Sequence, residues 1–172
     1  MKKQRPHREV TGVELATPDS PLFEPRLWGT WKSDRRKTFE YAVLRVVPRV
    51  EREEFVNVGV IVSCMERDYL EAKIDLDAAR LLALDPQIDI ASVSANLASI
   101  PAICRGGPDA GPIGKLSTRE RFHWLVAPRS TIIQTSRVHM GRCKDPKALL
   151  EHLVRTMVRP PSGLLPQSPG ED

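Results

Sequence analysis

The sequence predicts an α+β domain over residues 38–159: an antiparallel meander of about three N-terminal strands, then helices, a further strand and a C-terminal helix. Three observations carry that reading. Between residues 39 and 74 the apolar residues come in short runs rich in β-branched and aromatic types, as strands require. After residue 75 their spacing changes to three or four, the period of a helix. Near the end, Asp145-Pro146 offers a cap and a first-turn proline to a two-faced helix. A chain of 172 residues is long enough to bury one core of its own.

Taken in order, residues 39–47 form a first strand stopped by Pro48. Residues 55–64 are apolar on both faces in parts, which predicts a central position in the sheet. Residues 69–74 make the third strand. Asp75 or Asp77 then opens a short helix carrying Ala79, Leu82 and Ala83 and ended by Pro86. A longer helix has Asp89 as its N-cap and Ile90, Val93, Leu97 and Ile100 on one face, with Pro101 bending or ending it. The Gly/Pro-rich stretch from Gly106 to Gly114 reads as a flexible loop.

Ser117 and Glu120 have the spacing of a capping box, so a helix starts there, and it ends near Pro128. Residues 131–139 alternate as a strand that Gly141 breaks. The last helix directs Leu149, Leu150, Leu153, Val154 and Met157 inward, while Lys147, Glu151 and Arg155 pair along its solvent side. Outside the domain, residues 1–37 are expected to be an irregular basic leader containing Trp28 and Trp31, and residues 160–172 a disordered Pro-rich tail.

The formal charge of +4 is unevenly placed. Residues 1–38 hold nine Lys and Arg against five Asp and Glu, and the remainder holds 17 of each. Nucleic-acid binding, if present, is therefore expected of the leader and not of the folded part. Cys64, Cys104 and Cys143 are too few and scattered for a disulfide framework, which suits a reducing, cytoplasmic setting. The start Met1-Lys2-Lys3-Gln4-Arg5 lacks the apolar core of a signal peptide, and no run approaches a membrane span.

Templates for catalysis find little to match. A phosphate-binding loop at Gly106 to Ser117 would need glycine where Asp109 stands, and Ser or Thr where Leu116 stands. His139 and Cys143 make half a metal site that Cys104 or His123 would have to complete, so no metal or cofactor is expected. Ser130 and Thr131, with His139 or His123, lack the elbow that presents a hydrolase nucleophile. Glu54 and Asp75 have no partner in linear spacing for general acid–base work.

The more informative residues are polar groups inside apolar elements: Arg45, Glu54, Asn57, Arg121, Arg129 and His139, with Gln134 beside them. One reading pairs Arg45 with Glu54 across the first hairpin and sets Asn57 on backbone, because buried charges need partners. The other gathers the six into an anion site of an enzyme or ligand-binding domain, Arg being suited to bidentate recognition.

The strings Arg45-x-x-Pro48, Glu54-Phe55-x-Asn57-x-Gly59-Val60 and Arg121-Phe122-His123-Trp124 through Pro128-Arg129-Ser130-Thr131 resemble the bacterial family known as domain of unknown function 3037, over residues 38–159. The resemblance implies a small cytoplasmic protein, often encoded beside HipA-like serine/threonine kinases. It therefore implies an accessory or interaction role, and it brings no catalytic residue. A non-catalytic interaction module is the function expected on these grounds.

Overall fold

The computed structural model describes residues 36–161, so residues 1–35 of the leader, with its two tryptophans, and residues 162–172 of the predicted tail lie outside the described residues, while Lys37, expected in the leader, begins the first strand. The chain runs β1 (Lys37–Val46), a 3-10 turn (Val50–Arg52), β2 (Val56–Cys64), a second 3-10 turn (Met65–Arg67) and β3 (Tyr69–Ile74). There follow α1 (Ala78–Leu84), α2 (Ile90–Arg105), a 3-10 segment (Pro108–Lys115) and α3 (Thr118–Val126). Two strands, β4 (Ile133–Thr135) and β5 (His139–Cys143), precede α4 (Pro146–Met157). The class is α+β, as predicted.

The sheet is antiparallel in the order β3-β2-β1, and β4 and β5 share the far edge of β1. β4 pairs with residues 44–46 of β1, and β5 with residues 37–41. The expected single strand over residues 131–139 is thus two, and Gly141 lies inside the second instead of ending the first. The break is at buried Ser136. Its backbone N–H donates to the Val43 carbonyl at 2.8 Å. Its Oγ accepts from the Val43 N–H at 2.9 Å, replacing the ladder bond that the shift between strands removes.

β2 is buried along its whole length apart from half-buried Asn57. The strand carries one irregularity. The register steps from Leu44 opposite Gly59 to Arg45 opposite Asn57, leaving Val58 without a partner on β1. This bulge reverses which face successive residues of β2 present. Val56, Val58 and Ile61 join Leu44 and Val46 in the core under α1, α2 and α3, while Val60 and Val62 face α4.

Helices therefore cover both faces. Leu81, Val93, Leu97, Ile100, Phe122 and Leu125 fill the larger core, and Leu150, Leu153 and Val154 of α4 the smaller. The expected apolar face of α4 is borne out, Leu149 and Met157 being half-buried beside it. Its outer charges do not pair along the helix as predicted. Glu151 instead reaches Lys73 of β3 at 2.6 Å, and Arg155 meets His152. The last carbonyls of α4 are taken by other elements: Asn57 Nδ2 donates to Met157 O at 2.9 Å and Arg80 Nη1 to Val158 O at 3.0 Å.

The helix starts follow local chemistry. Asp77, Asp89 and Asp145 each accept from backbone N–H groups of the first turn, and Ser117 and Glu120 complete their capping box. Two expectations change. Pro101 does not end α2, which continues to Arg105 because Ile100, Ile103 and Cys104 hold that segment against the core. The stretch after α2 is an ordered 3-10 segment in which Gly114 is buried so close to the Gly107 carbonyl that a Cβ would sit 2.0 Å from it.

Gly59 sits at the bulge under the same kind of constraint. A Cβ there would meet the Lys73 carbonyl at 2.6 Å and the ends of Ile74 and Leu44 at 3.0 and 3.2 Å. The backbone contact cannot rotate away, so Gly59→Ala is expected to lose on the order of 1–3 kcal/mol in urea unfolding. An unchanged midpoint would show that the two strands separate freely at this point.

Candidate functional site

A groove of about 650 Å³ lies between α2 and the segment that links α3 to β4. α2 builds one wall. Its inward residues Val93, Leu97 and Ile100 are buried, which leaves Asp89, Ser92, Asn96 and Ser99, spaced by three, four and three, along the adjoining stripe. The opposite wall begins where α3 stops at Val126 and Pro128 keeps the chain extended. From there the chain passes through Arg129 to Ile132, and the Ile132 carbonyl accepts from Val47 N at 2.7 Å, tying the wall to β1.

Large apolar side chains stay partly open at this groove: Val50 at 36%, Trp124 at 36% and Ile132 at 46% exposure. Arg129 stands beside them in a fixed pose. Its guanidinium lies 4.0 Å from the centroid of the Trp124 ring, and Nη2 donates to the Trp124 carbonyl at 2.7 Å. A stacked cation at an exposed site is worth about 0.5–1 kcal/mol, and the carbonyl bond also satisfies the C-terminal turn of α3.

Among the described residues, the ionisable side chains lining the groove are Asp89 and Arg129. Asp89 is already committed. The Ser92 hydroxyl and N–H donate to it at 2.6 and 3.1 Å and hold its carboxyl below the usual carboxylate range. Thr131, considered above as a nucleophile, donates its hydroxyl to the Ile133 carbonyl at 2.7 Å. His139 does not approach it, being stacked on Tyr41 with ring centroids 5.0 Å apart.

The six residues singled out from the sequence are not gathered into one cleft. Arg129 lines the groove. Arg45 projects to the face of the sheet opposite Leu44 and Val46, the α4 side, where Asn57 and His139 also lie. Arg45 rests over the Phe55 ring at 4.2 Å and does not pair with Glu54, which instead receives two bonds from Arg52 at 2.7 and 3.0 Å. That exposed pair holds the Glu54 carboxyl below its ordinary range through the Arg52 hydrogen bond. Asn57 does bind backbone, at Met157 O.

Arg121 is a structural clamp. Nη1 donates to the Leu116 carbonyl at 2.6 Å, and Nη2 to the Cys104 carbonyl at 3.3 Å and Thr118 Oγ1 at 3.4 Å, joining α2, the 3-10 segment and α3. Nearby Cys104 is buried, which pushes its thiol up to about 12 and leaves it protonated and inert at neutral pH. Among the described residues no three His, Cys, Asp or Glu side chains are placed to hold a metal ion. None of the helices described is long and apolar enough to cross a membrane.

Trp124, Ile132, Val50, Ser92, Asn96 and Ser99 were not singled out as site residues from the sequence. The three on α2 carry a weak signal at most, since a polar stripe at helical spacing reads as a solvated face. Against known proteins, the family model described as protein of unknown function (DUF3037) matches residues 41–158. Comparison with curated proteins and with solved structures gives no match.

The two arginines differ in how much of the fold they hold together. Arg121→Ala is expected to cost on the order of 2–3 kcal/mol, because it removes a charged donor from two carbonyls and a hydroxyl. Arg129→Ala, on an exposed wall, is expected to cost less than about 1 kcal/mol. Urea unfolding of both variants checks this, and equal losses would give Arg129 a mainly structural role.

Proposed function

The chain belongs to the DUF3037 family, and because that membership brings no reaction with it, we propose on physical grounds that it is a non-catalytic interaction module. In this reading the groove between α2 and residues 129–132 seats a segment of a partner protein. The observation that carries it is the lining: Val50, Trp124 and Ile132 are partly exposed around a cavity of about 650 Å³, beside hydroxyl and amide side chains. Partly open tryptophan and isoleucine at one concavity favour a covering partner, since scattered exposure would need no explanation but clustering does.

The ionic content of the groove supports binding over chemistry. Its carboxylate caps a helix, and its guanidinium is stacked on the Trp124 ring and bonded to the Trp124 carbonyl, so both are engaged in holding local structure. For the partner we propose a HipA-like kinase, on the motif resemblance, acting in the cytoplasm of a bacterium.

Titration calorimetry between the full chain and a purified HipA-like kinase tests the proposal. Association is expected, and Ser99→Trp, which fills the groove from the α2 wall, is expected to weaken it at least tenfold, about 1.4 kcal/mol, while leaving circular dichroism unchanged. Absence of association, or association indifferent to the filled groove, overturns the proposal.

A further inference from the structure

We infer that the groove selects a short acidic peptide segment, with one carboxylate on Arg129 and a neighbouring apolar side chain against Trp124 and Ile132. This rests on the interaction reading and adds the chemistry of the segment. The argument is one of hydrogen-bond and charge complementarity.

Among the described residues, the polar groups of the groove divide into spent and unspent donors. The hydroxyl protons of Ser92, Ser99 and Thr131 are committed to Asp89, the Asn96 carbonyl and the Ile133 carbonyl, at 2.6, 2.7 and 2.7 Å. Those oxygens remain acceptors, which suits the N–H groups of a peptide backbone. Arg129 uses Nη2 on the Trp124 carbonyl, and its other N–H groups have no protein acceptor. The side chains of Asn96 and Ser130 likewise make no hydrogen bond to the protein. The ligand that completes this set presents acceptors at the Arg129 end and amide donors along α2.

Charge decides which anion. One guanidinium carries a single positive charge, and Asp89 on the facing wall adds a negative one. A phosphorylated side chain brings about −1.5 to −2 at neutral pH and needs several cations around it. A carboxylate brings −1 and matches the planar fork of one arginine. The stack on Trp124 and the bond to its carbonyl favour one pose of that fork, which lowers the ordering cost of binding. The volume falls in the range of small-ligand sites, about 300–1,000 Å³, which suits a few residues in extended form.

The test uses fluorescently labelled, capped peptides with the cores Leu-Asp-Leu, Leu-Asn-Leu and Leu-phosphoserine-Leu, titrated by anisotropy against the full chain and its Arg129→Gln variant. The aspartate peptide is expected to bind, with at least a tenfold loss on replacing aspartate by asparagine and the same loss on Arg129→Gln. The two changes together are expected to lose no more than either alone. Equal binding of the asparagine peptide, tighter binding of the phosphoserine peptide, or independent additive losses overturns the inference. If no peptide binds while a kinase still associates and Ser99→Trp still weakens it, the acidic segment is wrong and the interaction module stands. If the peptides behave as expected and the kinase does not associate, the segment chemistry stands and that partner falls.

Discussion

One unpaired residue in β2 governs the arrangement of everything around it. With Val58 bulged out against β1, β2 gives Val56 and Val58 to the larger core and Val60 and Val62 to the α4 face, with Gly59 between the two pairs. A regular strand alternates strictly, so the step decides which side chains of Val56–Cys64 enter which of the two helical layers. The close fit of Gly59 to the Lys73 carbonyl holds the bulge in one place, and the Val58 carbonyl accepts from Asp75 N at 2.8 Å as β3 ends. Asn57, next to the bulge, then reaches the end of α4.

The family strings acquire a physical meaning in this light. Arg45, Asn57 and Gly59 lie at the bulge itself, and Arg121 joins three segments behind α2. These are residues of architecture. Arg129 differs, because its guanidinium is held by an aromatic ring at the rim of a groove and keeps donors facing outward. Residues of the same type thus lie in different surroundings, one clamped inside the fold and one at the rim of a groove.

What was legible in the sequence was what short-range chemistry decides. Asp77, Asp89, Ser117 and Asp145 were readable as helix starts because each cap is satisfied within three residues. The valines of β2 announced burial on both sides. What was not legible depends on residues far apart in the chain. The division of β4 from β5 is set by the shared edge of β1, and Glu54 pairs with Arg52 while Arg45 lies over Phe55. The groove is assembled from Val50, α2 and the segment after α3, none of which signals a cavity alone.

The bond between Val43 and Ser136 spans 93 positions of the chain. Strands β1, β2 and β3 follow one another in the chain, but the second edge of β1 is completed only when β4 and β5 have been made. At ordinary rates of synthesis that interval is roughly 5–20 s. Throughout it the most apolar part of β1, residues 41–44, presents unpaired N–H and C=O groups to other nascent chains. Glu40 and Arg45 bracket that stretch with opposite charges, placing a gatekeeper at each end of the strand segment most prone to pair with a stranger.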